Sequence, residues 1–226
     1  MTDFDGTLYR GDAPVRYYAE RAADRLAPGA RRELLDGLDR YLDQGAAVLP
    51  EAVDGWEAVA ALGLRHGLDG TALDSAFAET RAYMAGPGCA LEVPADYAGT
   101  LAGLRAEGVR VVLATNSPAE GLDALLQRLD VLPLVDQVVS GTGKPAGLER
   151  LLRRELDSGL GAGSVLVIGD HWRNDIEPGL RIGAVGAYID RFGRADGPAH
   201  GTAPLVEDLI DTVRNWAGAR LTAERN

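Results

Sequence analysis

A chain of 226 residues, 46% hydrophobic and 25% charged, has enough apolar material for a core and is not composed like a disordered segment. Its formal charge of −11 argues against nucleic acid or anionic lipid as partners, since such a surface repels polyanions. Cys89 is the sole cysteine, which excludes an internal disulfide and a cysteine-built zinc site. The N-terminus lacks a basic segment followed by an apolar one, and no run reaches the ~18 apolar residues of a membrane span, so a cytoplasmic setting without a membrane role is expected. Among the 23 basic residues every one is arginine except Lys144. A chain that keeps one lysine has either escaped a coding bias there or needs a compact ammonium at that position.

In chain order, MTDFDGTLYRG opens on a short apolar stub that runs into a polar loop. Helical periodicity follows over Val15–Leu26, Arg31–Gln44, Glu51–Arg65 and Leu73–Met84, separated by Pro28-Gly29, Pro50, Gly67 with Gly70, and Gly86-Pro87-Gly88. From Val93 strands and helices alternate. Helices are predicted over Pro94–Glu107, Glu120–Arg128, Ala146–Asp157, Asp175–Ile182 and Pro204–Trp216, and strands over Val109–Ala114, Val135–Ser140, Ser164–Ile168 and Val185–Ile189. Apolar runs without alternation fit a parallel sheet covered on both faces. The expected fold is therefore an α/β, Rossmann-like open parallel sheet with helices on both faces, built from residues 1–11 and 93–226. Residues 12–92 would form an inserted all-helical cap.

Ligands of such sheets bind beyond the carboxyl ends of the strands. Four clusters stand there: Asp3-Phe4-Asp5-Gly6-Thr7, Thr115-Asn116-Ser117, Gly141-Thr142-Gly143-Lys144-Pro145, and Gly169-Asp170 with Asn174-Asp175. Hard carboxylate oxygens suit Mg²⁺, while a hydroxyl and an ammonium suit phosphate. A carboxylate against phosphorus can attack it, and a second acid two residues on can move protons. Simpler motifs fail. An EF-hand read from Asp3 would put Leu8 where glycine is required and Pro14 where glutamate is required. A P-loop ending at Lys144 would need glycine at Val138 and a hydroxyl at Pro145. Gly141–Ala146 does satisfy a dinucleotide fingerprint. That reading puts Asp170 too far along for the ribose-binding acid, and it leaves Asp3, Asp5, Thr115 and Asp175 without a task.

Taken together, DFDGTL, a threonine after an apolar strand, a Lys-Pro and GDHWRND, in that order, resemble the haloacid dehalogenase-like (HAD) hydrolase superfamily with a C1-type helical cap. The resemblance covers the whole chain. It implies that Asp3 is the nucleophile and Asp5 the general acid and base, and the presence of this second acid favours phosphoryl chemistry over carbon–halogen cleavage. It implies that Thr115, with Asn116 beside it, and Lys144 bind the phosphate, and that Lys144 also steadies Asp3. Mg²⁺ would be held by Asp3, the Asp5 backbone carbonyl and Asp170, with Asp175 in support. Tyr9, Arg10, Arg16, Tyr17 and His171 are candidate cap or substrate contacts, and Trp172 lines the entrance or packs. The implied activity is phosphatase action on a small phosphorylated metabolite through an aspartyl phosphate. A phosphomutase and an inactive truncated relative are the alternatives, and the oligomeric state stays open. Only Met1 and Thr2 precede Asp3, too little for a paired central strand. The expectation is that the natural chain begins upstream, or else that Asp3 sits on a frayed end.

Overall fold

Runs rich in valine, isoleucine and leucine make the strands: β1 (Val112–Ala114), β2 (Gln137–Val139), β3 (Leu166–Gly169) and β4 (Val185–Ile189), with a short fifth, β5 (Gly201–Ala203). The computed structural model describes residues 1–223. All strand pairings are parallel: β1 with β2, β3 with β4, and β4 with β5. Thr2 joins the two ladders, pairing with Leu113 on one side and Ile168 on the other. Its N–H donates to Val112 O, its carbonyl accepts from Ala114 N, and the flanking Asp3 N–H donates to Ile168 O. Two residues were expected to be too few for such pairing. They suffice because the strands on both sides supply partners, and Thr2 is only 3% exposed. The sheet order is thus β2, β1, the Thr2 segment, β3, β4, β5.

Helices α5 (Ala95–Ala106), α6 (Leu122–Arg128), α7 (Ala146–Asp157), α8 (Glu177–Arg181) and α9 (Ile210–Ala223) accompany the sheet. Val112, Ala114, Val165, Val167 and Tyr188 of the sheet pack with Leu148, Leu151 and Leu152 of α7 in one buried cluster. The described chain divides into two compact units, one of residues 1–10, 92–191 and 195–223, the other of residues 11–91 and 192–194. The second holds α1 (Ala13–Ala23), α2 (Pro28–Gln44), α3 (Gly55–Arg65) and α4 (Gly70–Ala85) around its own core of Tyr18, Leu34, Leu38, Tyr41, Val59 and Leu73. Phe192–Arg194 belong to this helical unit. Phe192 packs its ring 4.9 Å from that of Tyr41, and Arg194 donates to the carbonyl of Ala52 at 2.6 Å. No helix among the described residues is long and apolar enough to cross a membrane.

Several elements differ from the sequence expectation. α3 and α4 start where Asp54 and Asp69 cap them, their carboxylates accepting from the N–H groups of Glu57 and Ala72. The helix expected from Asp175 is a π-helical turn over Trp172–Ile176 followed by the short α8. The last helix is preceded by a 3₁₀ turn at Val206–Leu209, and β5 lies before it in a stretch for which no element is predicted.

Candidate active site

Directly after the Thr2 segment the chain coils on itself, with Leu8 N–H donating to Phe4 O at 3.0 Å. Phe4 and Leu8 are fully buried and anchor this turn, so Asp3 and Asp5 leave it at fixed angles. Gly6 sits at φ +78°, and a Cβ there would lie 2.1 Å from Asp170 Oδ2. Only glycine both adopts that backbone and leaves room for the Asp170 carboxylate. The loops after β1 and β2 are tied together by Thr142 N–H to Thr115 O, Gly141 N–H to Ser117 O, and Lys144 N–H to Asn116 Oδ1. This lattice of short bonds carries Lys144 inward despite the short connection from β2. Its Nζ donates to Asp3 Oδ1 at 2.6 Å and to Asp175 Oδ1 at 2.7 Å.

Asp175 is presented by the π-helical turn beyond β3, and its other oxygen accepts from His171 N–H at 3.0 Å. A Cβ on Gly169 would fall 2.4 Å from Asp175 Cβ, so this glycine too clears space for a carboxylate. Carboxylate oxygens of Asp3, Asp170 and Asp175 lie within 4.8 Å of one another. Burial pushes the Asp3 carboxyl from 3.8 up to about 7, with Asp175 and Asp5 adding to the rise and Lys144 opposing it. Burial also works against the charge on Lys144, but Asp175 and Asp3 outweigh it and hold its pKa above the ordinary lysine value. The ammonium is therefore permanent. Three carboxylates converge here on one ammonium, in a purely oxygen donor set. A hard divalent cation such as Mg²⁺ fits that donor chemistry.

Asp5 stands apart from this group. Its Oδ1 accepts from Tyr9 Oη at 2.6 Å and its Oδ2 from Ser117 Oγ at 2.7 Å. Tyr9, a candidate cap or substrate contact, is 3% exposed and donates to Asp5. Thr115 is buried, and its hydroxyl oxygen accepts from Ser117 N–H at 3.0 Å, which leaves its proton to donate. Asn116 commits its carbonyl oxygen to the Lys144 backbone. Arg10 pairs with Glu92 and Glu207. Within the helical unit Arg16 pairs with Asp39, and Tyr17 stacks on Tyr83 at 4.1 Å. His171 shapes its own loop, its Nδ1 facing Asn174 N–H at 3.4 Å. Trp172 packs against Gly197 and donates to Pro198 O. The sequence reading gave Ser117 no role. Its only signal was a hydroxyl three residues beyond a strand end.

A family profile described as haloacid dehalogenase-like hydrolase matches residues 1–183. A sequence comparison with curated proteins returns no match. Among solved structures, a predicted phosphoglycolate phosphatase from Haemophilus somnus 129PT is similar at a TM-score of 0.66 and 16% identity, over 94% of this chain and 96% of that one. A HAD-hydrolase from Bacillus subtilis bound to magnesium aligns at 0.61 and 18% identity, over 93% and 96%. A 2-haloacid dehalogenase from Pseudomonas syringae pv. tomato DC3000 aligns at 0.52 and 17%, over 95% and 97%. At such identities the structural likeness speaks for the fold, which phosphatases and dehalogenases share. With the family profile spanning most of its length and the aspartates, lysine and glycines of its motifs gathered at the strand ends, this chain belongs to the haloacid dehalogenase-like hydrolases.

Proposed function

We propose that this hydrolase is a Mg²⁺-dependent phosphomonoesterase acting on a small phosphorylated metabolite, with Asp3 as nucleophile. The observation that carries the reading is Asp5: a second carboxylate two residues beyond Asp3, held by two hydroxyls and left out of the three-carboxylate group. Dehalogenation offers such a group no task, because a halide leaves without a proton. An alkoxide leaves with difficulty unless one is supplied.

In this reading Asp3 attacks phosphorus as Asp5 gives its proton to the departing ester oxygen. The P–O bond to the leaving group breaks as the Asp3–phosphorus bond forms. Asp5, now ionised, takes a proton from water as that water attacks the aspartyl phosphate and frees Asp3. Lys144 holds Asp3 and offsets charge gathering on the phosphoryl oxygens, and the Thr115 hydroxyl donates to one of them, with Asn116 beside it. Asp3, Asp170 and the Asp5 carbonyl would hold Mg²⁺, with Asp175 supporting, and the metal would shield phosphate from this cluster of carboxylates. The helical unit would serve as the family's cap. A structural neighbour described as a predicted phosphoglycolate phosphatase makes that ester a member of a substrate panel.

The test is hydrolysis of 4-nitrophenyl phosphate with Mg²⁺ and with EDTA, for the wild type and Asp3→Asn. Turnover that needs the metal and vanishes in the variant is expected. Turnover that survives either change overturns the mechanism.

A further inference from the structure

The two hydroxyls on Asp5 come from different segments, and both are rigidly placed. Tyr9 follows the buried Phe4–Leu8 turn, is 3% exposed, and packs its ring against Phe4 at 5.0 Å between centroids. Asp5 and Tyr9 are also joined by a backbone bridge. Ser117 is 7% exposed, its N–H held by the Thr115 hydroxyl and its carbonyl by Gly141 N–H. Neither donor can follow Asp5 if it rotates, so together they fix both carboxyl oxygens.

We propose that Tyr9 and Ser117 are the positioning residues of proton transfer, holding the Asp5 carboxyl where it can reach the ester oxygen and then the attacking water. The inference rests on the phosphatase reading above. The chemistry of the clamp suits a group that must cycle a proton. A hydroxyl both donates and accepts, so it stays bonded to either oxygen whether that oxygen is bare or carries the proton; an ammonium or a backbone N–H can only donate, and would oppose a proton on the oxygen it faces. The two clamp hydroxyls transfer nothing themselves. Asp5 loses its proton to the leaving oxygen and regains one from water, and the hydroxyls only reorient. Misplacing a reacting group by about 1 Å can cost on the order of 100-fold in rate, which sets the scale of the expected loss.

Phenyl phosphate and 4-nitrophenyl phosphate distinguish positioning from mere packing. The two esters have nearly the same shape, but phenolate is much the more basic leaving group and depends on a proton that nitrophenolate can do without. For Tyr9→Phe with Mg²⁺ present, kcat/KM on phenyl phosphate is expected to fall about 30- to 100-fold, and on 4-nitrophenyl phosphate about 3-fold or less. Ser117→Ala is expected to show the same split, and Ser117→Thr, which keeps the hydroxyl, to restore phenyl phosphate turnover. Equal losses on the two esters, or no loss on either, overturn the inference while leaving the phosphatase reading in place. A wild type that turns over neither ester with Mg²⁺ overturns the reading itself, and the inference with it. Should Tyr9→Phe not fold, the three Ser117 forms carry the same comparison.

Discussion

Lys144 shows how one residue type can be fixed by geometry. Its Nζ lies 2.6 Å from one carboxylate and 2.7 Å from another, with the side chain only 3% exposed. A compact tetrahedral ammonium can serve two converging carboxylates from a single atom. A planar guanidinium is wider, and the void beside this site is only about 10 Å³. Lys144→Arg should therefore lower kcat by at least about 100-fold, the scale of losing one preorganised electrostatic contact, with an unchanged circular dichroism spectrum. Near-normal turnover would return the lone lysine to an accident of composition. Gly6 makes a complementary case. Alanine at φ +78° costs about 1–2 kcal/mol in backbone strain, and its Cβ collides with Asp170 Oδ2. Gly6→Ala should raise the Mg²⁺ concentration needed for half-maximal activity by about tenfold, a typical penalty for disturbing what orients a metal ligand. An unchanged Mg²⁺ titration would mean that Asp170 is not needed where it stands.

At the scale of elements, the same forces decide what could be read in advance and what could not. α7 was legible to the residue, because Leu148, Leu151 and Leu152 recur at helical spacing and are the residues it buries. β4 was equally plain as an unbroken apolar run. β5 had no such signal: Gly201–Ala203 is a strand only because β4 offers it an edge. The carboxylates and the lysine of the site were visible through their chemistry and order along the chain. The Tyr9–Asp5–Ser117 clamp was not, since a hydroxyl shows no period and its partner lies 112 residues away for Ser117. The π-helical turn that delivers Asp175 was also hidden, being opened by Trp172, whose seat is set by a distant glycine. A Cβ on Gly197 would stand 2.2 Å from a Trp172 ring carbon. Gly197→Ala should push the indole off Pro198 O and disturb the turn, costing about 1–3 kcal/mol as overpacking usually does. Urea denaturation should show the lower midpoint, and kcat should fall with Asp175 displaced. An unshifted midpoint would show that the loop absorbs the methyl group.

For the molecule as a whole, the buried carboxylates that meet at the strand ends couple stability to pH. A carboxyl raised from 3.8 to about 7, as at Asp3, binds its proton more tightly folded than unfolded. Its contribution to stability is full below about pH 4 and is lost as the pH rises through 7, because the unfolded chain releases the proton at no such penalty. Without metal, then, raising the pH from 5.5 to 8 should lower the melting temperature through this group. Mg²⁺ would substitute for the proton, so its stabilising effect should grow over the same interval. At a hundredfold excess over its dissociation constant a ligand contributes about 2.7 kcal/mol, and for a chain of this size 1 kcal/mol moves the midpoint by about 2–4 °C. Thermal denaturation at pH 8 should accordingly show a rise of about 5–10 °C on replacing EDTA with saturating Mg²⁺, and a clearly smaller rise at pH 5.5, where ion and proton compete for Asp3. Asp3→Asn, which has no proton to lose, should flatten the difference between the two pH values. An equal Mg²⁺ shift at both, in the wild type, would show that the metal does not compete with the Asp3 proton and would remove Asp3 from the set of groups that hold it.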